Sequence, residues 1–406
     1  MLIDAAAKRV SLDPKDAAFR QDPYPAYHAI RAAAPFFFWQ DFGYWCFCAY
    51  ADVHALLRDR RFGREILHVA TREELGWQEP EARLAPFYAV ERHSMLEREP
   101  PVHTRLRTLV NRAFVSRQVE RLRPRIEALA NRLIDGLRPG ADLIEAFATP
   151  IPVIVIAELL GVPVEMGPHL LDWSHRMVAM YQFDRSRAAE DAAVAATEAF
   201  VAFLRGYVAE RRGRPADDLI SLLIAAEASG EKLTEDELIA SCILLLNAGH
   251  EATVHAIGDG AKSLLEAGVD PACAFADAVA IEATVEEVLR FDAPLHLFTR
   301  YALEDVEYAG LALKRGDRIG LMLGAANRDP ARFEEPDRLW TERPRAPLQS
   351  FGGGIHFCIG APLARLEMQV ALPLLFARLP NLRLAGQPRY RDTYHFRGLE
   401  ALYVEW

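Results

Sequence analysis

Apolar residues recur with helical spacing over most of this chain. The longest such stretch runs from residue 234 to about residue 267, and another runs from residue 277 to residue 291. Helical spacing also dominates residues 101–212, and it returns after Cys358 as far as about residue 379. Because apolar positions three and four residues apart form one face of a helix, this pattern predicts a mainly helical protein.

Two shorter regions favour strands. Residues 36–50 are rich in aromatic residues and flank a D-F-G sequence at residues 41–43, which predicts paired strands. Residues 295–319 also have a β-like pattern, and the K-R-G-D sequence at residues 314–317 predicts a hairpin turn. Residues 66–98 lack clear periodicity and are expected to form a long, partly irregular loop. We therefore expect a mainly α fold with a smaller β region.

Composition narrows the class of protein. The chain has 406 residues, of which 51% are hydrophobic and 26% charged, as in a soluble protein with a large core. No repeat or low-complexity linker divides it, so we expect one large domain over residues 1–406. The formal net charge of −10 argues against nucleic acid as a partner, because phosphate binding needs a basic surface.

The cysteines and the N-terminus bear on location. Five cysteines without a regular framework favour a reducing compartment, and the close pair Cys46 and Cys48 lies in an aromatic strand pattern that favours core packing over metal binding. The N-terminus has no uninterrupted apolar run, and no later stretch approaches the roughly 18 uncharged apolar residues that span a bilayer. We expect a cytoplasmic protein without a membrane anchor.

A glycine-rich loop carries the strongest chemical signal. Residues 351–360 read F-G-G-G-I-H-F-C-I-G and are followed by the start of a predicted helix. The unpaired N–H groups and partial positive charge of a helix N-terminus favour a thiolate at Cys358. Glycines let the backbone approach a flat ligand closely, and a lone thiolate is a good axial ligand for haem iron. The alternative is a buried structural cysteine after a glycine-rich turn.

The pattern F-G-x-G-x-H-x-C-x-G resembles the haem-binding loop of soluble bacterial cytochrome P450 monooxygenases. The resemblance implies the cytochrome P450 fold, with haem b between a long distal helix and the helix after the cysteine. It implies Cys358 as the iron ligand, and contacts to haem from Phe351, Gly352, His356 and Gly360.

Two further segments match the family. Glu287 and Arg290 lie three residues apart and so share a helix face. A solvated surface pair is the alternative, but in this place they resemble the buried E-x-x-R pair that braces the haem loop, with Arg343 completing the network. His103 and Arg107 lie four apart on a predicted helix and, together with Arg300 and His356, resemble the haem-propionate partners. Exposed, solvated side chains are the alternative for each.

Residues 244–253 resemble the helix that crosses the distal face of the haem. Small residues at Ala248 and Gly249 would leave room for dioxygen, and Glu251 is placed to help deliver protons, whereas His250 is expected to face protein or solvent. The family usually has threonine at position 252, where this chain has Ala252. Thr253 is rotated by about 100° around the helix and should not replace it.

The departure at Ala252 leaves explanations open. Either a water molecule or a substrate hydroxyl supplies the missing hydrogen bond, or turnover leaks into hydrogen peroxide. An engineered threonine-to-alanine change is a further explanation.

The regions that contact substrate in the family are mostly apolar here, which favours a compact site for a small aromatic or terpenoid molecule. They contain Phe87, Tyr88, Met177, Met180, Tyr181, Phe183, Leu244, Leu295, His296, Phe298 and Phe396. We expect His296 to be the polar side chain near the substrate, and Arg92 and Ser94 are candidates for anchoring a carboxylate.

The resemblance implies a monomeric monooxygenase that inserts one oxygen atom from dioxygen into its substrate. No flavin or ferredoxin domain is fused to the chain, so electrons are expected from a ferredoxin that is reduced by an NAD(P)H-dependent reductase. Arg105, Arg112 and Arg365 flank motifs of the proximal side and are candidates for a basic docking patch. The alternatives are a peroxide-driven peroxygenase and a haem-based sensor or ligand-binding protein.

Overall fold

The computed structural model describes residues 1–183, 185–228 and 233–406. In these ranges the helices are α1 (Ala17–Gln21), α2 (Tyr24–Ala33), α3 (Tyr50–Leu56), α4 (Ala85–His93), α5 (Val102–Phe114), α6 (Ser116–Glu120), α7 (Arg123–Gly136), α8 (Pro150–Leu160), α9 (Gly167–Val178), α10 (Arg187–Gly213), α11 (Leu219–Ala228), α12 (Glu235–Glu266), α13 (Pro271–Ala274), α14 (Ala278–Phe291), α15 (Leu323–Ala326) and α16 (Ala361–Arg378). Single 3₁₀ turns cover Ala82–Leu84, Met95–Glu97, Val164–Met166, Ala179–Tyr181 and Gly354–His356, and Ile144–Ala148 forms a π-helical turn. The predicted mainly helical fold is confirmed.

The strands are short. They are β1 (Leu2–Asp4), β2 (Arg9–Ser11), β3 (Phe36–Trp39), β4 (Tyr44–Phe47), β5 (Phe62–Gly63), β6 (Leu297–Ala302), β7 (Val306–Tyr308), β8 (Leu311–Leu313), β9 (Arg318–Met322), β10 (Arg383–Leu384), β11 (Arg389–Tyr390), β12 (Leu399–Ala401) and β13 (Val404–Glu405). The larger sheet has the order β1-β2-β3-β4-β9-β6-β5, and two-stranded sheets pair β7 with β8, β10 with β13, and β11 with β12. This is the predicted smaller β region.

The chain forms two compact units, and each is built from segments that are distant in sequence. The first unit comprises Met1–Ile66, Arg123–Thr149 and Ala252–Trp406, and the second comprises Leu67–Leu122 and Pro150–Glu251. The single domain over residues 1–406 stays a prediction.

The core of the first unit follows from the alternation of side chains along its strands. Successive residues of a strand face opposite sides of the sheet. On β3, Phe37 and Trp39 enter one buried cluster with Tyr27 of α2, whereas Phe36 enters a second cluster with Phe47 of β4. Cys46 and Cys48 are buried in the first of these clusters, and burial raises the pKa of both thiols.

The second unit is helical over the residues that the structure describes. Its long helix α10 packs against α9, where the Trp173 ring lies 5.1 Å from the Phe200 ring and 5.8 Å from the Phe203 ring. By length and composition α10 would pass for a membrane-crossing helix. A single helix of that kind is weak support for a membrane protein, since core helices of soluble proteins have the same properties.

One expectation about local structure was wrong, and another was correct only in part. The turn at residues 314–317 forms, and Asp317 N–H donates to the Lys314 carbonyl at 2.9 Å, but it does not make a hairpin. β8 before it pairs with β7, and β9 after it pairs with β4 and β6. The stretch 66–98 is partly irregular as expected, up to about residue 81, but it is not a loop throughout, because it contains α4 with buried Phe87 and Val90.

Candidate active site

The loop that ends in Cys358 presents an exposed thiol three residues before α16 begins. Cys358 N–H donates to the Phe351 carbonyl at 3.0 Å and closes the loop. Gly352 has a φ of +68°, and a Cβ there would lie 2.9 Å from the Phe298 ring, so glycine is required. These features suit a flat ligand that is bound through a thiolate. The thiol is accessible at a helix N-terminus, and glycine lets the backbone approach the ligand closely.

Glu287 and Arg290 form a buried ion pair on α14. Arg290 donates to both carboxylate oxygens of Glu287, with distances of 2.7 and 2.8 Å, and the two side chains are each 2% exposed. Arg343 donates to the same carboxylate at 3.0 Å, and Trp340 N–H donates at 2.8 Å. Burial lowers the pKa of Arg290, and the Glu287 carboxylate opposes that effect. A buried charge with this many partners is compensated.

A chain of hydrogen bonds joins the ion pair to the cysteine loop. Arg290 Nη1 donates to the Asn327 carbonyl at 3.0 Å. The Asn327 side chain donates to Ser350 Oγ and accepts from Gln349 N–H, each at 2.7 Å, and Ser350 Oγ donates to the Leu289 carbonyl at 2.6 Å. This series of hydrogen bonds therefore reaches Ser350, directly before Phe351. Sequence reasoning missed this connection, because its side chains meet only after folding.

The candidate propionate partners lie in both units. In the first unit, Arg300 on β6 is buried and donates to the Thr299 carbonyl at 2.8 Å, and His356 is half-buried in the 3₁₀ turn before the cysteine. In the second unit, His103 on α5 is buried and Arg107 is half-buried one turn later. Their role toward haem stays a prediction.

The helix α12 holds the residues of the predicted distal face. Ala248 is exposed and Gly249 is half-buried, and a Cβ on Gly249 would lie 2.9 Å from Ile156 of α8. Glycine at this position is therefore also needed for close helix packing. Ala252 is half-buried and Thr253 is 6% exposed.

Glu251 lies next to two histidines. Its side chain is 9% exposed, and Oε2 lies 3.2 Å from Nε2 of His175 on α9 and 3.7 Å from Nε2 of His250. Sequence reasoning missed His175, since 76 residues separate it from Glu251 and no local pattern links the two.

A family model described as "Cytochrome P450" matches residues 277–382, a range that includes Glu287, Arg290 and Cys358. The polyketide biosynthesis cytochrome P450 PksS of Bacillus subtilis is 36% identical over 98% of this chain and 99% of its own length. This chain belongs to the cytochrome P450 family. Membership makes it a monooxygenase whose cofactor is haem with a thiolate ligand.

Two other similar proteins extend the comparison. The vitamin D(3) 25-hydroxylase of Pseudonocardia autotrophica is 38% identical over 95% of this chain and 94% of its own length. A crystal structure of P450BioI in complex with an acyl carrier protein that carries hexadec-9Z-enoic acid superposes with a TM-score of 0.89. That protein is 34% identical, and the match covers 96% of this chain and all of the other.

The predicted substrate residues of this cytochrome P450 form one group in each unit. In the second unit the Phe87 ring lies 5.6 Å from the Tyr88 ring and 6.3 Å from the Tyr181 ring. Tyr181 also donates to Glu91 at 2.8 Å. Nearby in sequence, Met177 and Met180 are buried, Phe183 is 49% exposed, and Leu244 is half-buried on α12. Of the two candidate carboxylate anchors, Ser94 is buried and Arg92 is exposed near the end of α4.

In the first unit, Leu295 pairs with Phe396 through a backbone bridge, and Phe298 lies against Gly352. His296 is placed differently from what we expected. Its ring is 1% exposed and hydrogen-bonds to the Tyr27 hydroxyl at 2.7 Å. Burial, followed by the charge of Arg397, lowers the pKa of His296 to about 3. Because the ring packs among core tyrosines, we leave His296 out of the proposed substrate site.

The arginines of the candidate docking patch have acidic partners. Arg105 binds Glu237 with distances of 2.5 and 3.0 Å. Arg365 binds Glu286 with distances of 2.5 and 3.1 Å and lies over the Phe351 ring, 4.4 Å from its centroid. Arg112 is exposed on α5. The patch is therefore less basic than the sequence suggested.

Two buried acids were also missed by sequence reasoning. Asp259 on α12 is fully buried, and burial, followed by the charge of Asp292, raises the pKa of its carboxyl group well above the usual range. Glu367 on α16 is 1% exposed, and burial raises its pKa in the same way. The helical pattern of the sequence places both acids on long apolar helices, but it does not show that their side chains lie on the buried face.

Proposed function

We propose that this cytochrome P450 inserts one oxygen atom of dioxygen into a small aromatic or terpenoid substrate and receives electrons from a ferredoxin. The observation that carries the proposal is the exposed Cys358 thiol at the start of α16, in a loop joined to the buried pair of Glu287 and Arg290. Haem, when bound, supplies the activation of dioxygen.

The residues that would hold haem follow from their chemistry. The Cys358 thiolate would bind the haem iron, and Phe351, Gly352 and Gly360 of the same loop would lie against the haem. Cationic side chains suit the propionates, and we assign that role to His103, Arg107, Arg300 and His356.

Glu251 would carry a proton toward the distal side. His175 has 43% of its side chain exposed and lies 3.2 Å from the Glu251 carboxylate, so it connects that carboxylate to solvent. A proton taken up by the imidazole can pass to Oε2 of Glu251, because the separation is within hydrogen-bond range. Ala248 and Gly249 would leave space beside this route.

Ala252 favours a second candidate function. Without a hydroxyl group at this position, the chain lacks a group that the family usually uses to deliver protons to dioxygen. A peroxide-driven peroxygenase does not need this proton delivery. Product formed with hydrogen peroxide alone, at a rate matching or exceeding the ferredoxin-dependent rate, would favour the peroxygenase. Dioxygen consumption that depends on ferredoxin would favour the monooxygenase.

The substrate class can be tested through the ferric absorption spectrum. A ligand that displaces iron-bound water shifts the spectrum, so we would titrate compact aromatics and monoterpenoids against long-chain fatty acids and a fatty acyl carrier protein. The relatives named for polyketide biosynthesis and vitamin D, and the complex with an acyl carrier protein, make the larger ligands the appropriate competitors. Shifts confined to the larger ligands would refute the small-substrate proposal.

A pair of variants tests which residues line the proposed substrate site. Phe298 on β6 and Phe38 on β3 are both half-buried in the same sheet, but only Phe298 is assigned to the substrate site. Phe298→Leu should change the dissociation constants of the preferred ligands several-fold, while Phe38→Leu should leave them unchanged. Equal effects of the two variants would remove Phe298 from the site.

The ferredoxin proposal is tested by the rate of haem reduction and its dependence on salt. Arg112→Glu should slow reduction by a ferredoxin and flatten the salt dependence. Arg187→Glu reverses an arginine side chain that is 75% exposed on α10 and serves as control. If both variants match the wild type, the docking assignment is wrong. We also propose a cytoplasmic location, which cell fractionation would test.

A further inference from the structure

Two histidines and a glutamate bring their ligand atoms together in the second unit. His175 lies on α9, and His250 and Glu251 lie on α12. One ligand atom from each residue lies within 4.8 Å of the other two. The donors therefore come from two helices, α9 and α12.

The hydrogen bond on the far side of His250 determines which ring nitrogen faces the cluster. His250 Nδ1 lies 2.6 Å from the Leu246 carbonyl. A carbonyl only accepts, so Nδ1 carries the hydrogen, and in the neutral ring Nε2 presents a lone pair toward Glu251. The separation of 3.7 Å between Nε2 and Oε2 is too long for a hydrogen bond. A backbone carbonyl behind the ring is also one of the common partners of a metal-binding histidine.

The distances from Oε2 of Glu251 to the two imidazole nitrogens are close to those between ligands of one small cation. Zinc binds nitrogen and carboxylate oxygen at about 2.0–2.1 Å with tetrahedral geometry, so neighbouring ligand atoms lie about 3.3 Å apart. The Oε2 atom of Glu251 lies 3.2 Å from one imidazole nitrogen and 3.7 Å from the other. The two imidazole nitrogens are at most 4.8 Å apart, and rotation of the partly exposed His175 ring can shorten that distance.

We propose that His175, His250 and Glu251 form a binding site for a divalent transition-metal cation of the zinc class. Two imidazoles and one carboxylate suit zinc, copper or nickel rather than magnesium or calcium, which prefer oxygen ligands. The partly exposed His175 gives the cation a path from solvent, and water would complete the tetrahedral coordination.

The site has a consequence that rests on the proposed function. The cation would bind Oε2 of Glu251, the oxygen that we assign to proton transfer. Bound zinc should therefore inhibit dioxygen-dependent turnover, and removal of zinc by a chelator should restore it.

Zinc binding to the haem-loaded, chelator-treated protein would be measured by calorimetry and by X-ray absorption at the zinc edge. We expect one zinc ion per chain with nitrogen and oxygen ligands. His175→Gln should weaken binding at least tenfold. His169→Gln removes an exposed histidine from the same helix and should leave binding unchanged.

Equal affinities of the wild type and His175→Gln would overturn the proposal, as would sulfur ligands at the zinc edge. Zinc that binds as expected without inhibiting turnover would support the metal site and refute the proton-transfer role of Glu251. The failure of the site and the failure of the proposed function are thus distinguishable.

Discussion

Arg290→Met tests how the cysteine loop is held. Arg290 donates to both oxygens of Glu287 and to the carbonyls of Asn327, Pro336 and Arg338. Methionine fills similar space but supplies none of these donors. The Glu287 carboxylate would remain buried, and among the described residues its remaining partners would be Arg343 and the Trp340 N–H.

The size of the effect follows from this arrangement. Removing one partner of a buried ion pair costs about 3–5 kcal/mol, because an incompletely compensated charge is left in the core. Since Arg343 still neutralises Glu287, we expect the lower end, about 3 kcal/mol. The loss of the bond to the Asn327 carbonyl should also loosen the chain of hydrogen bonds that ends at Ser350, directly before the loop.

The assay has two readouts. Urea unfolding of the haem-loaded protein gives the free energy of unfolding, and the absorption of the ferrous carbon monoxide complex shows whether the thiolate still binds iron. Arg338→Met is the matched control, because that side chain is 61% exposed and pairs with Glu335 at the surface, where such pairs contribute at most about 1 kcal/mol. Equal losses of stability in the two variants, with thiolate ligation intact, would refute the bracing role.

Three further variants probe the site. Ala252→Thr should raise the product formed per electron and lower hydrogen peroxide, and an unchanged yield would mean that position 252 does not control coupling. Gly352→Ala should lower the free energy of unfolding by about 1–2 kcal/mol and reduce haem occupancy, since φ is +68° and the Cβ would meet Phe298. Gly206→Ala in the exposed part of α10 should not destabilise. Asp259→Asn should reduce the fall in unfolding free energy as pH rises above the unfolded pKa of about 3.9. The raised pKa of Asp259 gives a contribution that is present below the unfolded pKa of about 3.9 and lost as pH rises through the folded pKa; identical pH profiles for wild type and variant would contradict this.

Local patterns predicted the long elements well. The apolar period placed α12 within a residue at each end, and Asp277 marked the start of α14 because its carboxylate accepts from two N–H groups of the first turn. The hairpin at residues 314–317 failed for a physical reason. A turn is set by its own residues, whereas the strand that pairs with β9 is decided by contacts across the sheet.

In the site, too, features set by consecutive residues could be predicted, and features set by distant contacts could not. The loop around Cys358 is recognisable because its glycines, cysteine and helix start are consecutive. The joint through Asn327 and the contact of His175 with Glu251 depend on side chains that meet only after folding. The burial of His296 among tyrosines likewise depends on the packing of α2 against the sheet.

The most individual features of this cytochrome P450 lie side by side on α12. Ala252 lacks the hydroxyl that the family usually has, and the preceding Glu251 has two histidines as neighbours. Under the proposed function, both features bear on the supply of protons at the distal side. If that function holds, a chain without the threonine hydroxyl should depend more heavily on the Glu251 carboxylate, so a cation that binds this carboxylate should inhibit it more strongly than a relative with threonine. The product formed per electron by Ala252→Thr and the inhibition of turnover by zinc therefore test the same proposed proton route at two neighbouring residues.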